Sequence, residues 1–325
     1  MAGVGPLLAG RDIVLGNLEC PLTANGHGKS SWRRDQMRGD TAYASVLRRS
    51  GITALHVANN HALQHGPDGF RDTLYALEQA GIECVGVRGE GAWCARPVIS
   101  RLPGKPRVGM LGYCWRPSQY GVATVPFAEG SLEDALADVA RLRADCEAVV
   151  VSLHWGEDFV DTPSEAEVHA AHALVAAGAS VVAGHHPQVR RPVEQVSDGV
   201  IAYSLGNFVA DLVWMEALRD GAVLHVDLGA GIPLSPRVQR LRLDDAFTPV
   251  PCEPGIRPVT TIDALPVAQY LDRATAMLKA QRRSAYRYAI RNLLHYPLNI
   301  ATEILVTTLR NKVRRRVSSN PGLDD

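Results

Sequence analysis

Short apolar runs alternate with amphipathic segments from about residue 11 to residue 245. Five apolar runs are bounded by polar or turn residues and predict β-strands, at 12–17, 53–59, 107–113, 147–156 and 179–186. Helical spacing lies between them at 67–80, 131–145 and 164–177, and Ser131 is the predicted N-cap of the second, with Asp134 three residues later. Strands that alternate with helices of about 10–15 residues are typical of β-α-β units, so the pattern predicts an α/β fold.

The pattern changes after residue 186, where strand follows strand at 189–196, 199–208, 221–228 and 237–243. This predicts a mixed sheet that ends in hairpins, and we assign residues 1–245 to one domain. Residues 246–266 carry five prolines without a helical period, which predicts a linker or an extended arm. Residues 267–325 form a predicted basic helical extension, broken at Pro297.

Polar side chains follow five of the predicted strands at the point where each strand ends. They are Asn17, Glu19, Asn59, Asn60, His61, His154, His185, His186 and Asn207. Ligands of open α/β sheets bind outside the carboxyl ends of the strands. The sequence therefore predicts one polar rim that holds a functional site.

Glutamate, asparagine and several histidines in one place indicate a divalent metal site, because imidazole suits Zn or Fe and oxygen ligands suit Mn or Mg. Two-metal sites that hydrolyse phosphate esters use a bridging carboxylate, a role open to Glu19. Asn60, His154 and His186 are each candidates to hold an ion. His61 is a candidate general acid or electrostatic clamp for the substrate.

Each of these residues also has a purely structural interpretation. A single histidine at a strand end commonly makes structural hydrogen bonds, and Asn17 and Asn59 are equally suited to turn hydrogen bonds. The metal-site hypothesis rests on the joint occurrence of such residues after five separate strands.

Composition narrows the class of protein. The 325 residues include 34 Lys plus Arg and 34 Asp plus Glu, so the formal net charge is zero, which argues against a dedicated nucleic-acid binder. No window reaches the roughly 18 apolar residues of a membrane span, and the start lacks the features of a signal peptide. The six cysteines are widely spaced, so we expect reduced thiols and a cytoplasmic protein.

Several stretches resemble the CapA family of bacterial capsule and poly-γ-glutamate biosynthesis proteins. The matching stretches are DIVLGNLECPLT, HVANNHALQHGPDGFRDTLYALEQAGI, VVVSLHWGEDFVDTPSEAE, AAGASVVAGHHPQVRRPVE and IAYSLGNFV, in the order and spacing of the family. The resemblance covers about residues 7–245. It implies the calcineurin-like metallophosphatase fold, a four-layer α-β-β-α sandwich.

The resemblance also implies roles for individual residues. Glu19 matches the bridging acidic ligand, and Asn60 and His61 match a metal ligand followed by the histidine that meets the phosphate. His154 matches the next metal histidine, and His186 matches the first histidine of a final His-Pro-His. The implied cofactor is one or two divalent ions, Mn, Zn, Fe or Mg.

This sequence departs from the family pattern at three places. The family begins with a strand that ends in a metal-binding Gly-Asp, which nothing before Met1 supplies, so we expect that the first strand is missing here or lies upstream of the start. Gln188 replaces the second histidine of the final pair and offers a weaker amide oxygen ligand. Gln64 stands where many relatives have an aspartate. We therefore expect one tightly bound ion and a weakened second position.

Charge is unevenly distributed along the chain. Residues 279–316 carry ten Lys and Arg against a single acid, Glu303, whereas the residues before them have a net negative charge. Leucines and isoleucines form an apolar stripe in the same segment. A basic amphipathic helix can lie on an anionic membrane surface. The alternative is that the stripe packs on the domain and the arginines are solvated.

Two functions remain open from the sequence. One is a metal-dependent phosphoesterase that acts on a phosphorylated or polymeric substrate in exopolymer metabolism. The other is a non-catalytic accessory or scaffold protein that retains the fold with a degraded metal site. The intact NNH, HWG and NLE motifs favour the first, and Gln188 and the missing Gly-Asp favour the second.

Overall fold

The computed structural model describes residues 4–26, 37–116, 124–229 and 231–318, with the backbone alone for 254 and 310–318. Within these residues the fold contains three sheets and seven α-helices.

The first sheet is parallel and has three short strands. They are β1 (Leu15–Asn17), β2 (Ala54–His56) and β3 (Glu83–Val85), in the order β1-β2-β3. A short helix, α1 (Gly5–Leu8), lies before β1, and between residue 4 and β1 the structure describes no strand. Helices α2 (Tyr43–Arg49) and α3 (Gly66–Gln79) follow β1 and β2, and a buried cluster that includes Leu55, Phe70 and Leu77 packs them on the sheet.

The second sheet has six strands in the order β4-β5-β6-β7-β9-β8. They are β4 (Val98–Ser100), β5 (Val108–Cys114), β6 (Ala148–His154), β7 (Val181–His185), β8 (Val193–Val196) and β9 (Gly199–Ala202). The four central strands are parallel, and the edge strands β4 and β8 are antiparallel to their neighbours. The mixed sheet predicted from the pattern is therefore present.

Two helices with matching N-terminal motifs cover this sheet, α4 (Leu132–Arg143) and α5 (Glu165–Ala176). The Ser131 hydroxyl accepts the N–H of Asp134 at 3.1 Å, and the Asp134 carboxylate accepts the N–H of Ser131 at 2.8 Å. Ser164 and Glu167 form the same capping box at the start of α5. Each motif satisfies N–H groups that have no partner within the helix, which fixes where the helix begins.

The two sheets pack face to face and the helices lie outside them. Ala54, Val85, Val98 and Met110 form the buried layer between the sheets. The largest cluster joins α4 and α5 to the six-stranded sheet. The expected four-layer α-β-β-α arrangement is thus confirmed. All six cysteines are free thiols, and three of them are buried.

A third, antiparallel sheet follows and contains β10 (Asp220–His225), β11 (Arg237–Leu243) and β12 (Pro249–Ile256). β12 lies within the segment predicted as a linker or arm, and the predicted boundary at residue 245 falls in the turn between β11 and β12. β12 is an edge strand, paired on one side only, and such strands tolerate proline because the missing N–H faces away from the sheet.

The C-terminal extension is a helical hairpin of α6 (Val267–Arg291) and α7 (Leu298–Ser318), joined by a 3₁₀ turn at Leu293–His295. Met277 and Leu278 pack α6 against the domain, and Ile300 and Ile304 pack α7 against Ala289. Neither these helices nor the others that the structure describes are long and apolar enough to cross a membrane.

Candidate metal centre

The carboxyl ends of strands from both central sheets meet at one rim. Glu19 follows β1, Asn60 follows β2, His154 ends β6 and His186 follows β7. One ligand atom each from Glu19, His154 and His186 lies within 4.8 Å of the other two. The structure therefore brings together four of the residues proposed as metal ligands.

Asn60 and His154 contact each other directly. Asn60 Oδ1 lies 2.8 Å from His154 Nε2, and both side chains are buried. Glu19 Oε1 lies 3.8 Å from the same His154 nitrogen. Asn60 Oδ1 and Glu19 Oε1 thus both lie within 4 Å of one imidazole nitrogen, close enough to serve a single divalent ion with ligand bonds of about 2.0–2.2 Å.

His186 is buried without a hydrogen bond to either ring nitrogen. Its ring centroid is 4.9 Å from that of His154, and its Nε2 lies 3.6 Å from Asp158 Oδ2. Buried polar atoms without partners are rare in proteins. An imidazole nitrogen that faces two carboxylates and a second imidazole fits a cation site.

Burial controls the protonation of these side chains. It lowers the pKa of both His154 and His186, so both rings are neutral and retain a lone pair for a metal. Burial and the nearby Asp158 carboxylate raise the pKa of Glu19 to about 8. A cation bound between these groups would favour the ionised carboxylate and so oppose both causes of the raised pKa of Glu19.

The backbone at the end of β7 adopts conformations that side chains disfavour. His186 has φ 94° and Gln188 has φ 61°, and Phe159 in the facing loop has φ 66°. The Phe159 N–H donates to Pro187 O at 2.8 Å and joins the two strained loops. Strain of about 1–3 kcal/mol per residue persists where the surroundings enforce it, typically at functional sites.

Gln188 points to Glu19. Its Nε2 donates to Glu19 Oε1 at 3.0 Å, so in this arrangement the amide nitrogen, which is no metal ligand, faces the carboxylate. His61 lies on the other side, with Nε2 4.0 Å from Glu19 Oε1 and 12% of its side chain exposed. Gln188 therefore does not offer an oxygen to a metal in this arrangement. His61 lies close enough to Glu19 to contact a molecule bound at the site.

The remaining predicted residues support the loops around the site. Asn59 Nδ2 donates to Leu18 O at 2.8 Å, and Asn207 Nδ2 donates to Leu218 O at 3.0 Å. His185 Nε2 is 3.1 Å from Ser152 Oγ, below the rim. Asn17 Oδ1 is buried and has no hydrogen-bond partner.

Sequence reasoning missed Asp158, which lies in the loop after β6 and contacts His186. The signal was its place four residues after His154, in the same loop as the HWG motif. It also missed Arg116, which forms an ion pair with Glu157 at 2.5 Å and helps to lower the pKa of His186. The carboxylate of Asp158 and the guanidinium of Arg116 thus lie at the rim, although neither residue directly follows an apolar run in the sequence.

A buried histidine network beneath the rim was also missed. Ser152 Oγ lies 2.8 Å from His56 Nδ1 and also contacts His185. His56 fits because Gly86 and Gly112 face it, and a Cβ on either would approach its ring within 2.9 Å. This network connects β2 of the first sheet to β6 and β7 of the second.

A second buried group supports the loop that carries Asp158. Arg191 has no exposed surface, and its guanidinium donates to Glu167 Oε1 at 2.6 Å and to the Tyr270 hydroxyl at 2.9 Å. The same hydroxyl accepts the N–H of Glu157 at 2.6 Å. Since Tyr270 belongs to α6, the C-terminal extension contacts the loop at the metal centre.

Comparisons with known proteins agree with this architecture. A family described as "Bacterial capsule synthesis protein PGA_cap" matches residues 1–212. The PGA biosynthesis protein CapA of Bacillus subtilis is 30% identical over 69% of this chain and 60% of its own length. The capsule biosynthesis protein CapA of Bacillus anthracis is 30% identical over 69% of this chain and 56% of its own length. A Mycobacterium tuberculosis protein that is named as a polyglutamine synthesis accessory protein is 30% identical over 62% of this chain and 56% of its own length.

The chain spans less than two thirds of the length of these curated relatives. The family match nevertheless covers more than half of the chain and includes Glu19, Asn60, His154 and His186. The chain therefore belongs to the bacterial capsule synthesis protein family PGA_cap.

Proposed function

We propose that this protein acts in bacterial capsule or poly-γ-glutamate biosynthesis as a phosphoesterase that depends on one divalent ion. The group formed by Glu19, His154 and His186 carries the proposal, because two neutral buried imidazoles and a carboxylate within 4.8 Å of one another fit a cation. The names of the relatives supply the biological setting.

Four side chains would hold the ion: Glu19, Asn60, His154 and His186. A divalent ion at this position supplies Lewis-acid chemistry to a phosphoryl group. Asp158 lies 3.6 Å from His186 Nε2 and adds negative charge beside it. This donor set suits Zn, Mn or Fe better than Mg, because two of the four donors are imidazoles.

Two further residues suit a phosphorylated substrate. His61 is partly exposed beside Glu19 and can hold a proton for an oxygen of the leaving group. Arg116 presents a guanidinium at the same rim, and a planar guanidinium recognises phosphate through paired hydrogen bonds. Its ion pair with Glu157 fixes where that guanidinium lies.

A second function, an accessory protein that binds an ion without turnover, is favoured by one observation. The Gln188 amide donates to Glu19 Oε1 at 3.0 Å where the family pattern has an imidazole. A relative with a name that describes an accessory protein matches this chain over 217 residues.

Metal analysis and a turnover assay test the proposal together. The purified chain is loaded with Mn²⁺ or Zn²⁺, and bound metal per chain is measured along with hydrolysis of p-nitrophenyl phosphate and bis(p-nitrophenyl) phosphate. We expect one ion per chain and metal-dependent turnover. His154→Ala should abolish both, while the control His169→Ala, at an exposed position on α5, should change neither.

Each outcome has a distinct meaning. One bound ion without turnover of phosphomonoesters or phosphodiesters refutes the phosphoesterase and leaves the accessory function. Two tightly bound ions per chain refute the single-ion site. Unchanged metal binding in His154→Ala refutes the ligand assignment.

A further inference from the structure

The turn between α6 and α7 exposes leucines to an unusual degree. Leu294 is 97% exposed and Leu298 is 84% exposed, and both lie at the tip of the helical hairpin. Exposed apolar side chains that cluster, unlike isolated ones, indicate an interaction surface.

The exposed leucines are not required to hold the hairpin together. Ile300 and Ile304 form the apolar stripe of α7 that packs on Ala289 of α6. A second stripe of α7, Leu298, Leu305 and Leu309, follows at helical spacing and remains 84%, 49% and 63% exposed. α7 is therefore apolar on two sides, and only one of them is covered by the described residues.

Basic side chains lead to the same tip along α6. Lys279, Arg283 and Arg287 are spaced by four residues and are exposed, which places them on one face of the helix. Ile290, also exposed, follows Arg287 by three residues and so lies on the same face, and Leu294 follows Ile290 by four residues in the turn. Arg282 and Arg291 add two exposed cations beside it.

The same segment has almost no acidic residues. Between 279 and 309 the only acid is Glu303, on α7, against five Lys and Arg on α6. A basic face that ends in protruding leucines has the chemistry of a peripheral membrane anchor: cations meet the phosphates and leucines enter the acyl boundary.

We propose that the tip of the α6–α7 hairpin docks on an anionic phospholipid surface. Leu294 and Leu298 insert into the interface, and Arg283, Arg287 and Arg291 contact the headgroups. A second copy is a poorer occupant, because a two-fold contact through this face would bring the same cations together. This proposal is independent of the metal centre.

Vesicle co-sedimentation of the full chain tests this docking. We expect binding to vesicles of phosphatidylcholine with phosphatidylserine, weak binding to phosphatidylcholine alone, and loss of binding at high salt. Leu294→Ser combined with Leu298→Ser should weaken binding about tenfold for each leucine removed. Arg283→Gln combined with Arg287→Gln should weaken it about fivefold for each charge.

Matched controls separate docking from folding and net charge. Leu271→Ser removes a half-exposed leucine elsewhere on α6, and Arg49→Gln combined with Arg101→Gln removes two exposed charges elsewhere. Both controls should bind vesicles like the parent chain. All variants should stay folded, as circular dichroism and thermal unfolding would show, since each replaced side chain is exposed.

Three results would overturn the proposal. One is equal binding to charged and neutral vesicles. Another is unchanged binding by the leucine variant. The third is concentration-dependent self-association that the leucine variant abolishes, without any vesicle binding, which would assign the surface to a second copy.

Discussion

The buried ion pair of Arg191 and Glu167 gives the sharpest test of the packing. The Arg191 guanidinium has no exposed surface and contacts Glu167 Oε1 at 2.6 Å, Val160 O at 2.8 Å and the Tyr270 hydroxyl at 2.9 Å. Glu167→Gln retains the size of the side chain but removes its charge. A buried guanidinium without its counter-charge costs about 3–5 kcal/mol.

That loss is large beside the total stability of about 5–15 kcal/mol that a native protein has. Urea unfolding should therefore show a midpoint at least about 1 M lower, with little change in the slope m, which for small proteins is about 1–3 kcal/mol per M. The matched control is Glu165→Gln, an exposed glutamate in the same first turn of α5, with an expected loss of about 0.3–1 kcal/mol.

Replacement of both partners distinguishes this explanation from a general effect of mutation. Arg191→Met combined with Glu167→Gln removes both charges, and uncharged replacements of a buried pair are often neutral. The double variant should thus regain much of the stability lost in Glu167→Gln. A loss in Glu167→Gln that matches the control, or a double variant that is less stable than the single one, would refute the reasoning.

Three more predictions concern the metal centre and its supports. Tyr270→Phe removes the hydroxyl that accepts the Glu157 N–H, and because this hydroxyl supports the loop and no ligand directly, metal affinity should fall by at most about 10-fold. Tyr75→Phe, at a 64% exposed position, should not change it, and chelator competition measures both. Gln188→His places an imidazole beside Glu19 and should tighten Zn²⁺ binding about tenfold, and unchanged affinity would show that position 188 does not reach the ion. In the metal-free protein, burial lowers the pKa of His185 from 6.5 to about 4. The unfolded chain therefore binds a proton here before the folded protein does, and the free energy of unfolding falls by about 3 kcal/mol as the pH drops from above 6.5 to about 4. Urea unfolding across that range should show this slope, and His185→Gln should reduce it.

Much of the fold and of the rim could be predicted from the sequence, because local periodicity reports burial. Parallel strands place their carboxyl ends on one side of a sheet, so the sequence alone predicts that His154 and His186 lie together. The sequence also predicts Asn60 at this rim, but Asn60 follows a strand of the other sheet, so its contact with His154 depends on how the two sheets pack. Ser131 and Asp134 likewise fixed the start of α4, because a capping box depends on neighbouring residues alone.

Contacts between distant parts of the chain could not be predicted in this way. Tyr270 meets Glu157 across 113 residues, and no periodicity in α6 marks which of its tyrosines faces the domain. Asp158 lies in a loop, where the hydrophobic pattern does not indicate which way a side chain points. β12 could not be predicted from the sequence because prolines normally interrupt strands. They are tolerated at the edge of a sheet, and that position depends on the tertiary arrangement.

Tyr270 shows that the region matched by the family and the residues that support the site do not end at the same place in the chain. The family match ends at residue 212, yet a hydroxyl from α6 fixes the loop that carries Asp158. Support for the loop beside the candidate metal centre therefore comes partly from a helix outside the matched region. A protein shortened to the matched region would keep every proposed ligand and lose a contact that holds the loop beside them.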